Sequence, residues 1–366
     1  VRVAVPRETA EGERRIAAVP DTVARMVADG CEVVVEAGAG QPAYVADADL
    51  RARGAAIGSR DEMLRTADVV LSVQPLRPDD IALLRSGTST ISILQPWSHG
   101  AAVQALAARG VTAYSLDLVP RISRAQAMDA LSSQALVSGY RAVMLAAQVS
   151  PRMFPMFMTA AGTVPPTKLL VLGAGVAGLQ AVATARRLGA VVSAYDVRAA
   201  AADEVRSLGA TFLDLGLETQ EGAGGYARAQ SEEFLAKQRE ILGGHITASD
   251  VVVTTAAVPG RPAPVLVTAD MVHGMKPGSV IVDLGAEGGG NCELTKAGET
   301  VVVGDVSIVG VVGAPSALPV NASALYARNV LNLLQLLMVD GELHPNPDDE
   351  IVAGCCVTRD GQVLKS

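Results

Sequence analysis

Aromatic side chains are scarce in this chain, at 3% of residues, and acids outnumber bases, 38 to 30, for a net charge of −8 and a pI of about 5.1. A protein that grips nucleic acid needs a basic face for the phosphates or aromatic platforms for the bases, and this composition supplies neither. Cysteine and histidine are sparse too: Cys31, Cys292, Cys355 and Cys356, and His99, His245, His273 and His344. No two cysteines have C-x-x-C spacing and the histidines are scattered, so no metal site is expected. The adjacent Cys355-Cys356 pair reads as packing rather than redox chemistry. Long apolar runs are missing, although 49% of residues are hydrophobic and mean hydropathy is +0.32. The stretches near Leu169 and Val301 are cut by glycine, proline or charge well before the ~18–20 residues of a membrane span. The opening Val1-Arg2-Val3-Ala4-Val5-Pro6-Arg7-Glu8 reads as a strand and a turn, not a signal peptide. A soluble cytoplasmic protein is the expectation, and 366 residues suffice for two domains of ordinary size.

Glycine, by contrast, is plentiful, and one arrangement of it organises the chain. The apolar strand-length run Lys168-Leu169-Leu170-Val171-Leu172 leads into Gly173-Ala174-Gly175-Val176-Ala177-Gly178, and a helix-like run over 179–188 follows. Gly-x-Gly-x-x-Gly between a strand and a helix is a dinucleotide fingerprint. Gly173 allows the tight turn, Gly175 lets the backbone approach a pyrophosphate, and Gly178 lets the helix pack closely on the sheet. Val176 and Ala177 open that helix, whose N-terminal N–H groups and dipole favour phosphate. The next strand, 191–196, ends in Asp196, which lies 21 residues after Gly175. That is near the ~20 expected for the acid that binds the adenosine ribose and repels a 2′-phosphate, so NAD is favoured over NADP. Arg198 pulls the other way, because an arginine accommodates a 2′-phosphate. The strand-end position gives Asp196 the greater weight.

Upstream, strands at 2–5, 32–36, 55–57, 68–73, 89–94 and 111–115 are interspersed with helices at 20–29, 78–84 and 101–109. Repeated β-α-β units predict a mostly parallel sheet covered by helices. The polar stretch 118–134 precedes a long helical pattern over 133–149. With Arg121, Arg124 and Asp129 within nine residues it reads as a capped helix start with a surface ion pair, or as a ligand segment bridging two domains. Downstream, 160–166 is a turn into the second domain, 199–208 a helix and 210–213 a strand. The polar, glycine-rich stretch 218–227 reads as a flap with Gly224 and Gly225 as hinges and Tyr226 as a lid, or as a plain loop. Helices are expected at 231–242, 269–274 and 322–339, and strands at 250–255, 280–284, 301–303 and 307–311. Ala257, past the strand 250–255, is small enough for a cofactor ring to lie close. The last helix should carry the chain back to the first domain. The expected fold is α/β, with two Rossmann-like domains built on parallel sheets and linked by long helices, the second carrying the fingerprint. Their bounds are 1–132 with 320–366, and 133–319.

Several segments resemble one family. Pro120-Arg121-Ile122-Ser123-Arg124-Ala125-Gln126, with Met128-Asp129, is similar to a loop of the NAD(H)-binding alpha subunits of proton-translocating NAD(P) transhydrogenases. Met158-Thr159-Ala160-Ala161-Gly162-Thr163-Val164-Pro165-Pro166, Asp196-Val197-Arg198-Ala199-Ala200, Gly224-Gly225-Tyr226-Ala227 and Cys356-Val357-Thr358-Arg359-Asp360-Gly361 resemble the same family, which shares its two-domain fold with alanine dehydrogenase. The resemblance implies that Arg121, Gln126, Asp129 and Ser132 surround the nicotinamide and its ribose. It implies that Gly173 to Gly178, with Asp196, Val197 and Arg198, hold the adenosine half of NAD(H). Gly225 and Tyr226 would belong to a mobile loop, with Gln238 and Ala257 nearby. It further implies a homodimer docked on membrane-embedded subunits, one domain of which binds NADP(H), with hydride passing directly between the two nicotinamides. The chain would then sit peripherally on the cytoplasmic face of the inner or plasma membrane. With no span before Ser366, it resembles the version split over separate subunits, or an excised domain.

The chemistry can be weighed against the residues. Oxidising an amino or hydroxy acid releases a proton as well as a hydride, so such a site needs an acid–base group. Where the alanine dehydrogenase pattern has a lysine before a proline, this chain has Gln74, in Val73-Gln74-Pro75; where it has a histidine, this chain has Leu94-Gln95-Pro96-Trp97, with His99 displaced. Gln74 cannot shuttle a proton at neutral pH, whereas hydride transfer between two nicotinamides needs only close approach. Arg15 matches the alanine dehydrogenase substrate arginine, or else serves a structural ion pair. Transhydrogenation is therefore the first expectation, an alanine-dehydrogenase-like amino-acid dehydrogenase the second, and a non-catalytic NAD sensor the third. Asp129 is expected to pair with Arg121, and Gln126 to set the orientation of the nicotinamide ring.

Overall fold

The structure, a computed structural model, describes residues 1–217, 232–256 and 260–365. They form two compact units, Val1–Gln134 with Pro315–Ser366, and Ala135–Ala314. The boundary falls inside one long helix, Ala130–Val149.

The first unit holds an eight-stranded sheet in the order Gln362–Val363, Cys356–Arg359, Thr112–Ser115, Ser89–Ser92, Val69–Leu71, Arg2–Val5, Glu32–Glu36 and Ala56–Gly58. The last six are mutually parallel. The C-terminal pair adds antiparallel to Thr112–Ser115. Central strands such as Val69-Val70-Leu71 are buried at every position, as expected where helices cover both faces of a parallel sheet. Side chains alternate between two cores. Val3, Val5, Val69 and Leu71 face the helix Pro319–Leu337 through Tyr326, Val330 and Leu334. Ala4 and Val70 face the other way, onto Leu64, Ile81 and Leu106.

The second unit holds seven strands in the order Thr211–Phe212, Val191–Tyr195, Lys168–Leu172, Val251–Thr254, Val280–Asp283, Val306–Gly310 and Thr300–Val303. The first six are parallel. Numbered along the chain they run 3-2-1-4-5-6, the order of a doubly wound nucleotide fold. Valine-rich runs again supply both cores.

Several short elements were not expected. Helix Arg60–Thr66 buries only Met63 and Leu64, too few apolar positions to reveal a period. Helix Glu350–Cys355 is started by Asp349, whose side chain accepts from the Ile351 and Val352 N–H groups. Residues expected as a turn form the hairpin Phe157–Thr159 with Gly162–Val164, exposed on both faces and so without the one-sided alternation that marks a strand. The helix expected over 231–242 runs on, as Glu232–Ala248. Thr300–Val303 pairs antiparallel with Val306–Gly310 as an edge hairpin. Among the described residues no helix is long and apolar enough to cross a membrane.

Candidate functional site

The fingerprint lies at the carboxyl end of Lys168–Leu172, beside Val251–Thr254, where the strand order reverses. Doubly wound sheets bind ligands at that point. Gly173 leaves the strand at φ +99°, and a Cβ on it would lie 2.6 Å from Thr255 Oγ1. That hydroxyl donates to the Gly173 carbonyl at 2.9 Å and ties the turn to the next strand. A Cβ on Gly178 would lie 1.8 Å from the Gly173 carbonyl oxygen, so helix Val176–Arg187 can start this close to the sheet only with glycine there. Gly175 differs. Its φ of −74° suits any residue, and a Cβ on it would meet nothing within 4 Å. No protein contact demands glycine at 175. The open space in front of it fits a pyrophosphate, with the uncapped first-turn N–H groups of Val176 and Ala177 as donors.

Asp196 ends the neighbouring strand and braces this turn, its Oδ2 accepting from the Ala174 N–H at 2.7 Å. Arg198 folds back onto it: its N–H and Nε donate to Oδ1 at 2.8 and 3.0 Å, and Nη2 donates to Oδ2 at 3.1 Å. Acid and arginine, read from sequence as rivals, form one ion pair, with Val197 half-buried between them. On helix Glu232–Ala248, Gln238 donates to the Tyr195 hydroxyl at 2.8 Å. Its Oε1 is buried with no hydrogen-bond partner among the described residues, which leaves an acceptor for a ligand. Gly225, Tyr226 and the flap expected at 218–227 lie outside the described residues, as does Ala257.

Sequence reading missed Asp283 and Asn291. Asp283 is buried and accepts from Thr254 Oγ1, Gly285 N–H, Cys292 N–H and Thr295 Oγ1 at 2.7–3.0 Å, which fixes the loop after its strand. Asn291 donates to the Ala256 and Pro264 carbonyls, both at 2.8 Å. These partners lie up to 35 residues away in sequence, so no local pattern announces them.

In the first unit, Ser123–Met128 is a short 3-10 helix leading into Ala130–Val149. Its backbone is pinned: Asn329 donates to the Ala127 carbonyl at 2.9 Å, and Arg124 pairs with Asp349 at 2.7 Å. Asp129, expected opposite Arg121, accepts from the Ser132 N–H at 2.8 Å and the Ser132 hydroxyl at 2.6 Å. Arg121 and Gln126 are exposed on this fixed loop.

Arg15 serves a buried ion pair. Its Nε and Nη2 donate to the two oxygens of Glu13 at 2.8 and 2.6 Å, and Nη1 donates to Gln134 Oε1 at 2.9 Å. Glu13 also accepts from Gln74 Nε2 at 2.8 Å and Ser316 Oγ at 2.6 Å. Burial opposes its charge, yet the Arg15 guanidinium holds the Glu13 carboxyl down at about 2. Beside it Glu8 accepts from the Val73 and Gln74 N–H groups at 2.6 and 3.1 Å, while burial pushes its carboxyl up to about 7. Near His99, Gln95 adopts φ +46°, and its N–H and that of Leu94 donate to Asp117 Oδ1 at 3.2 and 3.0 Å. The four cysteines are unbridged and buried, and burial raises the Cys355 thiol to about 12, far from a reactive thiolate. Among the described residues no group of three or more histidine, cysteine or acidic side chains could hold a metal ion.

The N-terminal domain profile of alanine dehydrogenase/PNT matches residues 4–138, and the C-terminal domain profile matches 142–366. The chain is 48% identical over 378 residues to the first portion of NAD(P) transhydrogenase subunit alpha of Rhodospirillum rubrum, a separate chain there, covering 100% of this chain and 98% of that one. It is 30% identical over 333 residues to alanine dehydrogenase of Mycobacterium tuberculosis, covering 87% and 82%. The solved structure of transhydrogenase from Sinorhizobium meliloti is similar over 100% of both chains, with a TM-score of 0.91 at 44% identity. The chain belongs to the alanine dehydrogenase/PNT family, and is nearer in sequence to the transhydrogenase alpha subunit than to the alanine dehydrogenase.

Proposed function

We propose that this chain is the NAD(H)-binding component of a proton-translocating NAD(P) transhydrogenase, exchanging hydride directly with NADP(H) on a partner subunit. The observation that carries this reading is the cradle at Gly175, open in front of a glycine turn that Asp196 braces. NAD(H), when bound, supplies the nicotinamide that gains or loses the hydride. The first-turn N–H groups of Val176 and Ala177 hold the pyrophosphate, Asp196 to Arg198 meet the adenosine ribose, and Gln238 offers its unpartnered oxygen. Gly225, Tyr226 and Ala257 complete that half. Arg121, Gln126, Asp129 and Ser132 orient the ring, and the pinned loop backbone keeps that orientation fixed. The two units act as the functional domains. The component works as a homodimer on the cytoplasmic face of the membrane, where membrane subunits couple the exchange to proton movement.

The absence of a proton shuttle supports this over an amino-acid dehydrogenase. Gln74 has its amide on Glu13, and Glu13 occupies the Arg15 guanidinium that an organic acid would need. The deciding experiment mixes this protein with a purified NADP(H)-binding transhydrogenase domain and follows reduction of an NAD analogue by NADH in the presence of NADP(H). Fast turnover that requires both proteins is expected. No turnover despite tight NADH binding moves the function to a sensor, and NADH oxidation driven by pyruvate and ammonia moves it to a dehydrogenase.

A further inference from the structure

Asp196 has no acceptor position to spare. A carboxylate offers about four lone-pair sites, and four donors meet this one: Arg198 N–H and Nε on Oδ1 at 2.8 and 3.0 Å, and Ala174 N–H and Arg198 Nη2 on Oδ2 at 2.7 and 3.1 Å. Its side chain is only 8% exposed. An acid in this state is neutralised, so it repels a phosphate far less than a bare carboxylate does. Nor can it accept from a ribose hydroxyl until Arg198 moves. Arg198 in turn stands at the end of the second strand, where the 2′-phosphate of an NADP-type ligand lies. Its Nη2 is steadied by the Ala174 carbonyl at 3.2 Å. A guanidinium fork at that point is the standard chemistry for gripping a phosphate.

We infer that Asp196 excludes 2′-phosphorylated dinucleotides by holding Arg198, a ready phosphate anchor, rather than by charge repulsion. The inference rests on the dinucleotide reading of this site. It assigns Arg198 a latent specificity role and makes the pair, not the acid alone, the discriminator. Discrimination matters to the proposed activity, because NADP(H) in this site would exchange hydride with NADP(H) on the partner and change nothing.

Calorimetric titration of adenosine 2′,5′-bisphosphate, 5′-AMP, NADPH and NADH tests this on wild type, Asp196→Ala, Asp196→Ser and the double variant Asp196→Ala/Arg198→Ala. The serine variant keeps an acceptor for the Ala174 N–H and guards against a loosened turn; melting curves establish that each variant is folded. Both single variants should bind the bisphosphate and NADPH roughly tenfold to hundredfold more tightly than wild type, while 5′-AMP and NADH weaken. The gain should vanish in the double variant. A double variant that keeps the gain means that repulsion by Asp196 was the whole effect, and overturns the inference. Folded single variants that gain nothing overturn it too. A wild-type protein that binds no NADH fails earlier, at the dinucleotide reading itself.

Discussion

Two glycines of the fingerprint, three residues apart, should fail in opposite ways when replaced by alanine. At Gly178 the new methyl carbon would sit 1.8 Å from the Gly173 carbonyl oxygen, a backbone atom that cannot swing aside. Helix and strand must separate by more than an ångström, and overpacking of this kind costs about 1–3 kcal/mol or more. At Gly175 the methyl meets nothing within 4 Å and φ is −74°, so the folded state loses nothing. The unfolded chain loses freedom, which stabilises the protein by about 0.4–1 kcal/mol. The methyl does fill the space where a pyrophosphate would approach. Displacing one or two hydrogen bonds to a charged group costs about 1.5–3 kcal/mol each, a loss of tenfold or far more in affinity. Thermal melting followed by circular dichroism reads the first effect and NADH titration the second. Gly178→Ala should melt several degrees early. Gly175→Ala should melt with wild type or above it, yet bind NADH weakly. Wild-type affinity in Gly175→Ala would refute the assignment of that space to the cofactor.

Other outcomes follow from the buried groups of the first unit. Glu13→Ala leaves Arg15 buried without its bidentate partner, which should cost about 3–5 kcal/mol, and acetate should recover part of the melting temperature. The Glu8 carboxyl is raised in the folded protein from 4.5 to about 7, so its contribution to stability is full below pH 4.5 and is lost as pH rises to about 7. Glu8→Gln should flatten that part of the stability profile; an unchanged slope between pH 4.5 and 7 would count against a protonated Glu8. Glu13, lowered to about 2, works in the opposite sense, stabilising above pH 4.5 and losing its effect as pH falls toward 2. Gln126→Asn should leave NADH affinity nearly intact while slowing hydride transfer in the two-protein assay; weak binding with normal transfer would remove the residue from its orienting role.

The parallel strands were legible because they are continuous valine, isoleucine and leucine runs between turn residues, and the fingerprint because its glycines stand between such a run and a helix. What could not be read was partnership across long separations. Arg15 meets Gln134 from 119 residues away, and Ser316 meets Glu13 from 303. Nothing local distinguishes an arginine awaiting a substrate from one already paired. Asp196 and Arg198 show the same limit at short range. Two residues apart, they read as competing specificity signals, because composition does not say that one side chain turns back onto the other. The three fingerprint glycines likewise look equivalent in sequence. Only the backbone shows that two are required by packing and the third is not.

The first sheet is assembled from segments far apart in the chain. The N–H of Ala113 donates to Thr358 Oγ1, and that hydroxyl donates to the Val111 carbonyl, across 245 and 247 residues. On a ribosome adding ~5–20 residues per second, strand Thr112–Ser115 emerges about 12–50 seconds before the strand that covers it. During that interval it is an open sheet edge, able to pair with another nascent chain. The second unit, continuous from Ala135 to Ala314, has no such wait. Vectorial synthesis therefore favours a nucleotide-fold unit that matures first, and a first unit whose vulnerability to aggregation is set by translation speed and by the chaperones that shield its edge.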